Sequence, residues 1–99
     1  MVKRKIIWSH RSEIDLYQIL DFYGKRNGNY NYSRSIYTRI RRSILVLKQF
    51  PGIGAQTDFE NIKNLILGDF SVFYRIKENS IEIVAVWDNQ QNPDNLNLK

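Results

Sequence analysis

The order of apolar segments along this 99-residue chain limits its fold more than any single residue does. A short apolar segment from Lys3 to Trp8 precedes two stretches with helical spacing, and three short segments with alternating apolar residues follow. Apolar residues that recur every three or four positions favour a helix, whereas alternation favours a strand. The pattern predicts an α+β fold with an N-terminal strand, a helical hairpin and then a three-stranded antiparallel meander, the four strands forming one small sheet.

The first helix is predicted to follow Ser9 or Ser12, either of which can cap it, and to end near Lys25. At 100° per residue its apolar side chains share one broad arc that should pack on the sheet or on a neighbouring helix. The arc contains Leu16, Tyr17, Ile19, Leu20 and Tyr23. Gly24 and Gly28 permit positive φ, so they predict the turn between the two helices.

The second helix is predicted from about Tyr32 or Ser33 to Gln49, and Pro51 stops it because proline cannot continue the hydrogen-bond ladder. Its core stripe recurs every three or four residues and consists of Ile36, Ile40, Ile44 and Leu47. Three cations share an outer face on the helical wheel, namely Arg34, Arg41 and Lys48, and Leu45 lies near them. Such a leucine is either ordinary surface scatter or the place where a partner helix binds.

Three strands are predicted in the last third of the chain, with turns at Gly68-Asp69 and Asn79-Ser80. The last of them, from Ile81 to Trp87, is apolar on both faces, which favours a central position in the sheet. The continuous run Ile6-Ile7-Trp8 predicts the same position for the N-terminal strand. Residues 88–99 are polar and interrupted by proline, which predicts a flexible tail on a single domain spanning residues 1–99.

The net charge of +5 is unevenly distributed along the chain. Residues 1–48 hold eleven cations and three anions, a net charge of +8, whereas the remainder holds four cations and seven anions, a net charge of −3. Such polarity favours a surface that meets nucleic acid or an acidic protein, because the summed charge steers association. A solvated helix face explains the charge run equally well.

Few residues could bind a metal or form a disulfide. The chain has no cysteine, and its one histidine, His10, provides no tetrahedral ligand set. No glycine-rich motif that cradles nucleotides is present, so no cofactor is expected. No apolar run approaches the ~20 residues that span a bilayer. No signal-peptide core follows Met1, and the sequence therefore predicts a cytoplasmic protein that does not act in a membrane.

Five short segments occur in a suggestive order along the chain: IIWSHRSEIDLYQILDFY, FPGIG, the Lys63-x-Leu65 strand, FYRI and WDNQQNP. In order and spacing they resemble the RelE/ParE superfamily of toxins from bacterial type II toxin–antitoxin systems. With the isoleucine-rich second helix, the resemblance covers nearly the whole chain. It implies a toxin that is made beside an antitoxin, which neutralises it, and a small sheet packed on a helical hairpin.

Members of this superfamily inhibit growth in two ways. RelE-like members resemble metal-free ribonucleases that cut messenger RNA in the ribosome. ParE-like members look instead like inhibitors that bind DNA gyrase without doing chemistry. A degenerate member that only binds RNA or a partner protein is a third alternative.

The nuclease alternative needs cations that hold the charge of a phosphorane. The resemblance places Lys63 where the family usually has arginine, with Arg75 on the neighbouring strand. The alternative interpretation of Lys63 is a solvated lysine at a strand edge. Arg75 is otherwise a cross-strand partner of Glu82, since opposite charges on adjacent strands pair readily.

Proton transfer is the weak part of the nuclease interpretation. Gln90 stands where members with a WDNRQ-like motif carry arginine, and nothing after Trp87 titrates near neutrality. The remaining candidates are Glu60 as a base, Tyr74, whose pKa would have to be strongly lowered, and His10. His10 is better explained as a surface residue in the first turn of a helix. The sequence therefore favours the ParE-like, non-nuclease mode.

Two sets of residues are predicted to contact macromolecules. A basic toxin with a broad apolar first helix suits an acidic amphipathic antitoxin segment, which covers charge and apolar surface together. The residues predicted to bind the antitoxin are Leu16, Leu20 and Leu45. Those predicted to bind nucleic acid or the target are Arg34, Arg41, Lys48 and Gln90.

Overall fold

One β-sheet carries two long helices on one of its faces. The computed structural model describes residues 4–98. Its elements are β1 (Lys5–Trp8), α1 (His10–Asn27), α2 (Asn31–Gln49), β2 (Ala55–Gln56), β3 (Lys63–Leu67), β4 (Phe70–Ile76) and β5 (Ser80–Asp88), with short 3₁₀ turns at Pro51–Ile53 and Pro93–Asn95. Neither helix in this range is both long and apolar enough to cross a membrane.

The sheet has five strands in the order β1-β5-β4-β3-β2. β1 is parallel to β5, and the other neighbours are antiparallel. The predicted meander is therefore present as β3, β4 and β5, and β5 lies inside the sheet as expected. The prediction of four strands is wrong because β2 adds a fifth at the edge; at two residues it is too short to show alternation in the sequence.

β1 is an edge strand, so the prediction of a central position is wrong. Its apolar run does not mean burial on both faces, since Ile7 is half exposed whereas Ile6 and Trp8 pack against the core. Lys3 lies outside the described residues. A short edge strand with one solvent-exposed face is typical of natural sheets, because a short edge offers few free backbone groups to a strand of another chain.

α1 begins where the sequence predicts it. The Ser9 hydroxyl caps the helix by accepting the backbone N–H of Ser12 at 3.0 Å, and it donates to the Val84 carbonyl at 3.0 Å, which fixes the helix start on β5. The helix ends later than predicted, with Gly28 in the left-handed region at φ +73°. Gly24 is inside the helix and buried under the Tyr30 ring, so the turn is at Gly28 and not at Gly24.

The core lies between the two helices and the sheet. All four residues of the predicted α2 stripe are buried, which confirms the helical spacing. On α1, Leu16, Ile19 and Tyr23 are buried and Leu20 is half-buried, but Tyr17 is exposed, so the apolar arc is narrower than predicted. The sheet residues that complete this core are Phe70, Val72, Tyr74, Ile81, Ile83 and Val86.

A second, smaller cluster covers the other face of the sheet. Phe73 and Ala85 meet Ile62 and Leu98 there, and Leu98 is only 6% exposed. The prediction of a flexible tail from residue 88 is therefore corrected, because Asp88 ends β5 and the last part of the described chain returns to the sheet. Isolated leucines in a polar segment gave no period from which this return could be read.

Candidate partner-binding groove and catalytic candidates

An open groove lies between α1, α2 and β1, with a volume of about 760 Å³. We call it the hairpin groove. All three residues predicted to bind an antitoxin line it, namely Leu16, Leu20 and Leu45. Leu16 and Leu20 belong to its floor, whereas Leu45 is largely exposed. The structure thus brings together, on one surface, apolar residues from both helices.

The α2 side of the hairpin groove is basic and aromatic. Arg41 and Lys48 line it beside Tyr37. The Arg41 guanidinium donates to the Tyr37 hydroxyl at 3.1 Å and lies 5.7 Å from the centre of its ring, so the two side chains hold each other in place. On the α1 side, Asp21 forms an ion pair with Lys25 at 3.0 Å. Positive charge therefore predominates where α2 borders the groove.

Arg34 lies elsewhere, although the helical wheel grouped it with Arg41 and Lys48. It borders a shallow depression of about 450 Å³ on a different part of the α2 surface. We call this depression the arginine patch; its lining residues are Arg34, Ser35, Thr38, Arg39, Arg42 and Ser43. The cations predicted to form one face are thus divided between two surfaces.

The two cations of the nuclease hypothesis project from opposite faces of the sheet. Lys63 is directly opposite Tyr74 in the β3–β4 ladder, so both side chains are on the helix-covered face. Arg75, the next residue of β4, points to the other face. It forms an ion pair with Glu82 at 3.2 Å, which confirms the cross-strand alternative. Lys63 instead shares a depression with Glu60 at the end of the sheet.

Tyr74 is fully buried and its hydroxyl has two partners. The hydroxyl donates to the Pro51 carbonyl at 2.6 Å and accepts the Gly54 N–H at 2.9 Å. Burial raises the pKa of Tyr74, although the bond from Gly54 opposes the shift. Catalysis would need the pKa shifted downward. With these two hydrogen bonds, Tyr74 holds the turn after α2 against the sheet.

His10 and Gln90 are both exposed. His10 is in the first turn of α1, as expected. Gln90 follows β5, where its backbone N–H donates to Asp88 Oδ1 at 2.9 Å. In the described part of the chain, no three His, Cys, Asp or Glu side chains are arranged to hold a metal ion.

Sequence reasoning missed a buried hydrogen bond between Tyr23 and Asp88. The Tyr23 hydroxyl donates to Asp88 Oδ2 at 2.6 Å, and both residues are buried. Burial raises the pKa of Tyr23 to about 12, and the hydrogen bond and the charge of Asp88 add to the shift. The two residues are 65 positions apart, so local sequence patterns do not predict the pair. The available signals were a tyrosine on the apolar face of the first helix and an acidic residue at the end of an apolar strand.

The Tyr23 hydroxyl should stabilise the folded protein, and this contribution should be lost at alkaline pH. The pKa rises from 10.0 to about 12 on folding, so the stabilisation is complete below pH 10 and is lost as the pH rises through about 12. Wild-type protein should therefore have a higher urea midpoint than Tyr23→Phe at pH 8, and the gap should close toward pH 12. Tyr17→Phe, at an exposed tyrosine, should keep the wild-type pH dependence; a constant gap for Tyr23→Phe would contradict the assignment.

One comparison with known proteins shows a family, and another shows the fold. The family model described as the ParE toxin of the type II toxin–antitoxin system, parDE, matches residues 6–93. A solved structure titled "Chromosomal ParDE TA system from P. aeruginosa" is similar with a TM-score of 0.77 at 22% identity, covering 87% of this chain and 96% of that chain. At this identity the structural likeness concerns the fold. No curated protein matches the chain.

Proposed function

Because the chain belongs to the ParE toxin family of type II toxin–antitoxin systems, we propose that it inhibits growth by binding DNA gyrase rather than by cleaving RNA. The separation of the catalytic candidates is the observation that supports this mode most directly. Lys63 and Arg75 are on opposite faces of the sheet, and the Tyr74 hydroxyl is committed to the backbone. A gyrase-directed toxin acts in the cytoplasm, and that location is part of the proposal.

One observation favours the RelE-like alternative. Glu60 and Lys63 line the same depression, so a carboxylate and a cation stand at one end of the sheet. A nuclease built there would still need an acid for the leaving oxygen. The depression is lined otherwise by groups without acid strength near neutrality, such as Gln56, Thr57 and Asn61.

Two measurements separate gyrase inhibition from cleavage. Purified toxin should inhibit supercoiling of relaxed plasmid by gyrase, and primer extension after induction should show no new transcript ends inside coding regions. The double variant Glu60→Gln/Lys63→Ala should retain wild-type toxicity, since exposed Glu60 and half-buried Lys63 both lie outside the expected target contacts. New ends that disappear in this variant, with a loss of toxicity of about a hundredfold or more, would replace the proposal by the nuclease alternative. Neither activity would favour a degenerate binding module.

A type II toxin has a cognate antitoxin, and we propose that this antitoxin binds the hairpin groove. The groove offers an apolar floor and a basic border on α2, formed by Arg41 and Lys48. An acidic amphipathic helix matches both properties, because its apolar face would cover the floor while its carboxylates meet the cations. Leu45 would be the central apolar contact, since it is the most exposed leucine of the groove.

A further inference from the structure

We propose that the arginine patch binds the phosphate backbone of double-stranded DNA. The patch is on the solvent side of α2, whose buried stripe faces the sheet. Three arginines, Arg34, Arg39 and Arg42, line one depression. α2 contains no acidic residue that could neutralise them.

The positive charge of the patch is available to a ligand. Within residues 4–98, none of the three arginines forms an ion pair, whereas Arg11, Lys25 and Arg75 each pair with a carboxylate. Guanidinium groups bind phosphate oxygens strongly, since two N–H groups can donate to one phosphate. Unpaired arginines in a cluster therefore favour a polyanion.

The lining of the patch indicates which polyanion fits. All six lining residues are polar, and Ser35 and Thr38 add hydroxyl groups to those of the three arginines. Hydroxyl and guanidinium donors are the groups that usually contact a nucleic-acid backbone. The hairpin groove combines cations with exposed apolar side chains, which an amphipathic peptide needs. The arginine patch offers such a peptide no apolar contact.

The dimensions of the patch suit a duplex. Arg34 and Arg42 are eight residues apart, which is about 12 Å along a helix. A DNA strand presents one phosphate per about 3.4 Å of its axis, so arginines spaced along this length of α2 can reach several phosphates of one duplex. Arg39 extends the patch toward the β3–β4 turn, where its guanidinium lies beside Gly68. No aromatic side chain lines the patch, so unstacked bases of a single strand would find no ring to stack on.

The arginine patch and the hairpin groove share no residue. DNA could therefore contact α2 while a protein occupies the groove. The choice of DNA over double-stranded RNA rests on the proposed function, because gyrase works on DNA. Binding to DNA itself is measured without gyrase, so the two proposals can fail independently.

The test compares two double variants that remove the same charge. Arg39→Gln/Arg42→Gln removes two cations from the patch, and Arg41→Gln/Lys48→Gln removes two from the hairpin groove. Binding of the purified toxin to a fluorescent DNA duplex is measured by anisotropy over a series of salt concentrations. The patch variant should lower the slope of log K against log salt by about 2 and weaken binding about tenfold at low salt, since each lost phosphate contact removes about 0.9 from the slope. The groove variant should keep a slope close to that of wild type.

Three outcomes would overturn the proposal. Equal effects of the two variants would mean that only the overall charge matters. Tighter binding of an RNA duplex or of vesicles rich in phosphatidylserine, lost in the patch variant, would assign the patch to a different ligand. No DNA binding by the wild-type protein at low salt would remove the site altogether. A supercoiling assay on the same variants reports separately on gyrase inhibition.

Discussion

Replacing Leu45 by glutamate should weaken antitoxin binding about a hundredfold, which corresponds to about 2.7 kcal/mol of binding free energy. Leu45 is 62% exposed in the free toxin and borders the hairpin groove beside Arg41 and Lys48. The substitution removes an apolar contact and also places a carboxylate opposite the proposed acidic segment. Isothermal titration of purified toxin with its antitoxin measures the change.

Ile66 provides a matched control for this experiment. It is 60% exposed, nearly the same as Leu45, but it is on β3 and does not line the hairpin groove. Ile66→Glu should change antitoxin affinity less than about threefold, since the substitution is remote from the proposed contact. Equal losses for the two variants would contradict the placement of the antitoxin in the groove. Unchanged affinity for Leu45→Glu would contradict it as well.

Replacing Leu47 by alanine should destabilise the fold by about 2–5 kcal/mol. Leu47 is 0% exposed and belongs to the core between α2 and the sheet, so truncation loses buried contacts and leaves a cavity. A domain of this size has roughly 5–15 kcal/mol of stability, so the loss is a large share of the total. Thermal unfolding should shift downward by at least about 10 °C.

The adjacent residue separates core packing from helix propensity. Val46 is 45% exposed on the same turn of α2. Val46→Ala should change stability by less than about 0.5 kcal/mol, because a surface substitution loses little packing. Comparable losses at Val46 and Leu47 would mean that α2 is not anchored by the stripe from Ile36 to Leu47.

Periodic features of the chain could be predicted from sequence, whereas long-range partners could not. The α2 stripe recurs over three turns, so its buried face follows from helix geometry alone. The β3–β4–β5 meander follows from alternation and turn residues such as Gly68, which has φ +64°. β2 contains two residues and leaves no period to detect.

The position of β1 shows why apolarity alone misleads. A run of three apolar residues is expected for a strand covered on both faces, yet Ile7 faces solvent at the sheet edge. Gly24 was ambiguous in the same way: glycine permits a turn, but here its missing side chain makes room for the Tyr30 ring. The exposure of Ile7 and the role of Gly24 both depend on neighbours in space that the local sequence does not specify.

The candidate sites were predictable only in part. Leu16, Leu20 and Leu45 meet in one groove because helical spacing and a short turn bring the two helix faces together. The arginines of α2 divide between two surfaces. A helical wheel gives the direction of each side chain around the axis of α2, but it does not show which part of the α2 surface borders α1. The separation of Lys63 from Arg75 needed the strand register.

The parallel pairing of β1 with β5 links the first strand of the fold to the last. Lys5 is opposite Ser80, and Trp8 is opposite Ile83. During synthesis, the early strand must wait for more than seventy further residues before it has this neighbour. Ile6 and Trp8 also line the hairpin groove, so that surface is finished only when nearly the whole polypeptide has emerged from the ribosome. We expect an antitoxin to recognise completed toxin molecules and to pass over nascent fragments.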